Sequence, residues 1–172
     1  MIFRIIVWIV FLVGGSVLGK YLDVKIFGFA CNYLSLKYFV SLLIGIVVGI
    51  VMIKISRNTG RTLAKYGREG NLPRMETNVL VKQGIYSYMR HPMHLGLMLF
   101  PLSIALIICS PVFIFIISPA IAILMLIMIK FIEEPEAKTK FESEYIEYKK
   151  QTPAFCFKIS CLKELLKKVE KN

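Results

Sequence analysis

The feature that most limits the possible folds is a set of four apolar runs, at roughly 2–19, 38–55, 93–109 and 111–129. A helix needs about 20 mainly apolar residues to cross a bilayer core of about 30 Å, and each run approaches that length. Inside such a core every backbone N–H and C=O must be paired within its own segment, which favours helices. A mean hydropathy of +0.66 and a 56% hydrophobic composition leave little chain for a separate soluble domain. The expected fold is an all-α integral membrane protein of about four transmembrane helices, in a single domain of residues 1–172. Two N-terminal helices fill 1–55, a loop 56–92, a transmembrane hairpin 93–130 and a tail 131–172. The first run also has features of a signal peptide, an early Arg4 and a Gly/Ser-rich end. Its long apolar part and the absence of a small-residue cleavage pattern favour a retained helix.

Charge sets the orientation. The net charge is +11, and the loop after the second run carries Lys54, Arg57, Arg61, Lys65, Arg68, Arg74, Lys82 and Arg90 against Glu69 and Glu76. The positive-inside rule places this loop in the cytoplasm. With four spans both termini are then cytoplasmic, and the 20–37 connection and the turn at Cys109-Ser-Pro111 face outward. The excess charge is accounted for by topology and by anionic lipid headgroups. Nucleic acid is not an expected partner, because the basic residues anchor loops rather than form a patch on a folded domain.

Cys31, Cys109, Cys156 and Cys161 form no CxxC pair. The last two fall in the expected cytoplasmic tail, where thiols usually stay reduced, so no disulfide framework is implied. Pro101 and Pro119 lie inside the two hairpin helices and Pro111 at their turn. In the tail, Phe141, Tyr145 and Tyr148 recur at helical spacing, so an aromatic face should rest on something apolar. The final "CLKELLKKVEKN" has the pattern of an amphipathic helix at a membrane surface.

Two polar clusters flank the hairpin. Arg90, His91 and His94 stand before its first helix, and Glu133-Glu134-Pro135-Glu136 follows its second. A tight hairpin sets the start of one helix beside the end of the other, so two imidazoles, a guanidinium and a carboxylate pair should converge. Carboxylates are disfavoured near a helix C-terminus, where the dipole is negative. Lys130 and Arg90, or a cationic ligand, should compensate. Taken singly, Arg90 serves as a topology anchor, the histidines as interfacial residues and Pro92 as a helix starter. A metal is not expected, since Pro92 separates the histidines and no HExxH pattern is present.

"LVKQGIYSYMRHPMHLG" followed by "EEPEAKTKFESEYIEYKKQTPAF" resembles the isoprenylcysteine carboxyl methyltransferase family and its relatives, the phospholipid and methanethiol methyltransferases. The shared pattern runs approximately L-V-x-x-G-x-Y-x-x-x-R-H-P-x-Y-x-G, then a membrane hairpin, then E-E-x-x-L-x-x-x-F-G-x-x-Y-x-x-Y and a proline. It covers roughly 78–155. The resemblance implies S-adenosylmethionine held at the cytoplasmic face. Leu80, Val81, Gly84 and Tyr86 would wall the cofactor pocket, His91, Pro92 and His94 would complete it, and Glu133 or Glu134 would hold a polar group of the cofactor. Arg90, His94 and Glu133 would serve the reaction itself. A sulfonium is a cation, which carboxylates and aromatic faces stabilise. Methyl transfer then needs an aligned acceptor and exclusion of water.

Departures from the pattern matter. His94 stands where tyrosine is usual, Ala137 where leucine is usual, and Glu142 where glycine is usual, which leaves the turn after Phe141 open. Ile129 stands where the prenylcysteine enzymes place an arginine on the substrate carboxylate, so the acceptor is open between a prenylcysteine-like carboxylate, a lipid and a small thiol. Related membrane sterol reductases use NADPH but are longer and have more spans. A relative that keeps the fold without the activity is the non-enzyme alternative.

Overall fold

The structure, a computed structural model, describes residues 2–29, 31–71 and 77–167, with side chains from Trp8 onward. Arg74 and Glu76 of the basic loop, the Arg4 side chain and the tail beyond Lys167 lie outside the described residues.

The described chain is helical, without strands. Helices α1 (Ile2–Phe27), α2 (Leu36–Tyr66) and α3 (Pro92–Ile107) are followed by α4 (Ser118–Met128), α5 (Glu134–Gln151) and α6 (Ile159–Leu166). Helix α2 continues well beyond the expected boundary at 55, so the start of the basic loop is helical. Helices α4 and α5 belong to one continuous run, Phe113–Gln151. Among the described residues, that run and α2 are long and apolar enough to cross a membrane; α3 is apolar but has 16 residues.

Two wide π turns, Phe113–Ile117 and Ile129–Glu133, interrupt the long run, and each stands just before a proline. Pro119 and Pro135 have no N–H to give the carbonyl four residues earlier. The ladder widens instead: Ser118 N–H reaches Phe113 O and Glu134 N–H reaches Ile129 O. The second π turn therefore sets the rotation at which Glu133 and Glu134 leave the helix. Further on, Glu142 breaks α5 with φ 44° and ψ −123°, a left-handed conformation that favours glycine. The turn left open by the sequence is thus a sharp kink, built on a residue that does not favour it.

The chain forms two compact units, and α2, α3 and the long run contribute to both. In the first unit, 1–52 and 98–125, fully buried Ala105 and Phe113 pack with Ile121, flanked by Trp8, Ile104 and Ile117. Glycine permits the close approaches. A Cβ on Gly19 would lie 2.8 Å from Ser110 Oγ, and one on Gly45 would lie 3.0 Å from the Ile107 backbone nitrogen. Polar pins accompany them: Ser103 Oγ donates to Gly45 O and Ser41 Oγ to Leu106 O, both at 2.9 Å, while Asp23 Oδ1 accepts Val112 N–H at 2.9 Å. Small residues and interhelical hydrogen bonds are how apolar helices associate where burial alone drives nothing.

Cys31 pairs with Cys109 in this unit, and Cys156 with Cys161 in the second. This corrects the expectation that the thiols stay unpaired. The first pair is far apart in sequence and is brought together by the 20–37 connection meeting the turn at Cys109.

In the second unit, 53–97 and 126–172, the end of α2, a short 3-10 turn (Gly84–Ser87), the start of α3, α5 and α6 surround Ile55, Ile85, Met89, Leu95 and Ile129. The aromatic face of α5 buries Tyr145 and Tyr148, next to polar groups of Tyr86 and Arg90 as well as apolar ones. Helix α6 turns Cys161 and Leu165 onto the protein and leaves Ile159 exposed; Asn58 Nδ2 donates to Leu165 O at 3.2 Å.

Candidate functional site

Residues 88–91 gain their position from the chain that leaves α5. Arg90 N–H donates to Pro153 O at 2.9 Å and His91 N–H to Ala154 O at 3.1 Å. Helix α3 starts directly afterwards, the His91 carbonyl accepting Leu95 N–H at 3.3 Å. Pro92 then occupies the first helical position, where no donor is required.

Arg90 ties three segments together. Its Nη1 donates to the Thr152 carbonyl at 2.5 Å and to the Lys149 carbonyl at 3.3 Å, and its Nη2 pairs with Glu134 Oε1 at 2.5 Å. The side chains of Arg90 and Glu134 are only 8% and 13% exposed, so this pair is not screened as a surface bridge would be. Lys149 Nζ holds the other oxygen, Glu134 Oε2, at 2.5 Å. Burial alone would raise the Glu134 carboxyl, but the hydrogen bonds from Lys149 and Arg90 outweigh it and hold the group at about 2. Compensation of the carboxylates thus comes from Arg90, as expected, but from Lys149 rather than Lys130, which instead lies over the Phe131 ring at 5.5 Å.

Glu133 serves the histidines. His94 Nε2 lies 2.8 Å from Glu133 Oε1, and His91 Nδ1 lies 3.9 Å from Glu133 Oε2. The other nitrogen of His91, Nε2, is 3.6 Å from Glu134 Oε1, outside hydrogen-bond range. Burial and the neighbouring His94 outweigh the attraction of the two glutamates and lower the His91 imidazole to about 4, so it is neutral at physiological pH. Tyr86 closes the same nook from the 3-10 turn, its carbonyl accepting the Tyr148 hydroxyl at 2.5 Å. Burial pushes both phenols above their ordinary value, so both remain protonated.

Among the described residues, three buried polar atoms at this place lack a hydrogen bond of good geometry, Arg90 Nε, His91 Nε2 and Tyr145 Oη, although the Arg90 guanidinium and the Tyr145 hydroxyl interact with one another. Such atoms carry a desolvation cost of about 1–3 kcal/mol each unless something pairs with them. A ligand with its own donors and acceptors would complete their hydrogen bonding.

Of the residues singled out in the sequence, Tyr86, Arg90, His91, His94, Glu133 and Glu134 come together, with Pro92 fully buried beneath them. Val81 and Gly84 face the end of α2 instead. Val81 lies by Gly67, and Gly84, at φ 59°, lines a separate cavity of about 460 Å³ with Asn58, Thr62 and Leu165. Leu80, beside them, is half-buried. Tyr145, Tyr148 and Lys149 adjoin the site, whereas the sequence marks the two tyrosines only as one face of a tail helix. Thr152 joins through its backbone carbonyl, and Phe155 lies 6.2 Å from the His91 ring. The aromatic spacing in α5 was a partial signal for the tyrosines; nothing in the order of residues marks a carbonyl as a ligand for Arg90.

A family model of phospholipid methyltransferases matches residues 36–144, more than half of the chain. The match takes in both polar clusters and ends one residue before Tyr145. Comparison with curated proteins and with solved structures gives no match. With both clusters convergent in the fold and inside the matched region, the chain belongs to the phospholipid methyltransferase family of membrane enzymes.

Proposed function

We propose that the protein transfers a methyl group from S-adenosylmethionine to a hydrophobic acceptor at the cytoplasmic face of a membrane that it crosses with four helices. The observation that carries this reading is the nook itself: Glu133 against His94 and a neutral His91, beside buried polar groups of Arg90, His91 and Tyr145. That donor set suits a small polar ligand bearing a carboxylate, an amine and a cationic centre. Glu133 and the Tyr86 ring would face the cation, while Arg90 Nε and Tyr145 Oη would meet the polar ends. When bound, the cofactor supplies an electrophilic methyl group on a positively charged sulfur. Arg90 keeps the nook in shape by holding Glu134 and two carbonyls of the α5 terminus. His94 Nε2 and Glu133 Oε1, 2.8 Å apart, would hold the proton that an amine or thiol acceptor sheds.

Acceptor access is supported by Phe131 and Ile132, which are 67% and 52% exposed immediately before Glu133. Buried Ile129 stands one turn earlier, which favours a lipid acceptor over one whose carboxylate needs a cation there. The positive-inside distribution supports the cytoplasmic location.

Calorimetric titration of the detergent-purified protein with S-adenosylhomocysteine, with NADPH as control, tests the reading. Saturable binding of the first alone, lost in His91→Ala and Glu133→Ala proteins that retain their helical circular dichroism, is the expected result. Absence of binding to the folded parent protein, or undiminished binding in both variants, would place the activity elsewhere or nowhere.

A further inference from the structure

We infer that the Cys156–Cys161 disulfide is a redox-sensitive latch on residues 152–158, the segment that holds Arg90 and His91 in the nook. This segment has no regular secondary structure between α5 and α6. Successive carbonyls make its grip on the nook: Thr152 O accepts Arg90 Nη1, Pro153 O accepts Arg90 N–H at 2.9 Å, and Ala154 O accepts His91 N–H at 3.1 Å. The Phe155 ring then lies 6.2 Å from the His91 ring, and the next residue is Cys156.

The far end of the bridge is held firmly. Cys161 is 2% exposed, and α6 is secured one turn later, where Leu165 offers its carbonyl to Asn58 Nδ2 at 3.2 Å. The segment is thus tied at one end by α5 and at the other by a covalent bond to α6. Main-chain hydrogen bonds exchanged with water contribute little net each, and ordering an unrestrained residue costs about as much. Breaking the bond to α6 therefore leaves the carbonyls over Arg90 and His91 close to balance between docked and released.

A sequence separation of 5 argues against a purely stabilising staple, because a cross-link restrains the unfolded chain more the longer the loop it closes. Location argues for control. The inference rests on the cytoplasmic placement proposed above, and disulfides in that compartment are mostly transient and redox-responsive. The chemistry is thiol–disulfide exchange with a dithiol reductant. Half-buried Cys156 is the open sulfur and Cys161 the shielded one. A thiolate of the dithiol attacks Cys156 Sγ, the S–S bond breaks, and Cys161 leaves as a thiolate that takes up a proton. The second thiol of the dithiol then displaces Cys156 and closes the reductant's own disulfide, so two electrons and two protons pass to the protein.

Amide hydrogen exchange of the full-length, detergent-purified protein, read by mass spectrometry without any cofactor, tests the latch separately from methyl transfer. The Arg90 and His91 amides should exchange slowly in oxidised protein. Dithiothreitol, with full reduction confirmed by thiol titration, should speed them by about 10–40-fold, the restraint expected from closing so short a loop, while amides within α3 keep their rates. Cys156→Ser, with its helical circular dichroism retained, should exchange at the fast rate with or without the dithiol, which separates this bridge from Cys31–Cys109. In parent protein that binds S-adenosylhomocysteine, reduction should lower the affinity in proportion to the released fraction, and in Cys156→Ser it should not. Exchange at Arg90 and His91 that full reduction leaves unchanged, exchange as slow in Cys156→Ser as in the oxidised parent, or an affinity insensitive to reduction would each overturn the latch.

Discussion

Replacing Glu134 by glutamine isolates what its charge contributes. Arg90 and Lys149 each donate to the carboxylate at 2.5 Å, and they hold it at about 2 against an ordinary 4.5. At about 1.4 kcal/mol for each tenfold change in proton affinity, that gap sets an upper bound of about 3 kcal/mol on the stability the ionised group adds. Lys149 is 50% exposed, so solvent screens its share and about 1–2 kcal/mol remains. The folded value lies below the unfolded one. The contribution is therefore complete above about pH 4.5 and fades as the pH falls through about 2. Thermal unfolding of parent and Glu134→Gln proteins in detergent, from about pH 7 down to pH 2.5, measures this directly. At about 2–4 °C per kcal/mol for a chain of this size, the variant should unfold about 2–8 °C lower near pH 7. The gap should close as the pH approaches the folded value. A gap that stays constant across the range, or no gap near pH 7, would show that the charge is not what secures α5 to Arg90.

Three other outcomes are expected. His91 is neutral and lowered to about 4, so the unfolded chain takes up a proton first and the fold loses stability as the pH falls from about 6.5 to 4; His91→Gln should flatten that part of the unfolding profile, and an unchanged slope there would assign it to another group. Glu142→Gly should raise stability by about 1 kcal/mol, since relief of the left-handed backbone, about 1–3 kcal/mol, exceeds the entropic cost of glycine; Glu142→Ala should bring no such gain in apparent Tm, and an equal gain would rule out φ as the cause. Loop-closure entropy gives Cys31–Cys109, with a separation of 78 residues, about 4.5 kcal/mol, and Cys156–Cys161, with a separation of 5, about 2. Serine variants of each pair, compared by unfolding of oxidised protein, should therefore rank in that order, and the reverse order would refute the entropic account.

Parts of the site could be read before any fold was known because they depend on local rules. Pro92 at a helix start and Pro135 after a glutamate pair each mark a boundary, and boundaries of a short hairpin must come together. Hairpin geometry alone brings His91 and His94 to Glu133 and Glu134. It could not choose Lys149 over Lys130 as the second cation, because the π turn before Pro135 rotates the glutamates away from the register of a regular helix. Nor could it assign the Arg90 guanidinium to the carbonyls of Lys149 and Thr152. A carbonyl is present at every position, and which ones lie open depends on where α5 ends.

The sequence by itself determined that this chain is helical and apolar, where its polar clusters lie and which family it resembles. These properties follow from periodicity, from the backbone rules for proline and from residue identity, all of which act over a few positions. Tertiary structure alone decided that Cys31 meets Cys109, that Glu142 adopts a conformation suited to glycine, and that Val81 and Gly84 face α2 while Tyr86 lies by Tyr148 and Glu133. It also decided that Glu134 is bound by two cations and Glu133 lies against two imidazoles. The physical reason is that neighbouring carboxylates are chemically the same in a sequence, and only their distances to charges on other segments separate them.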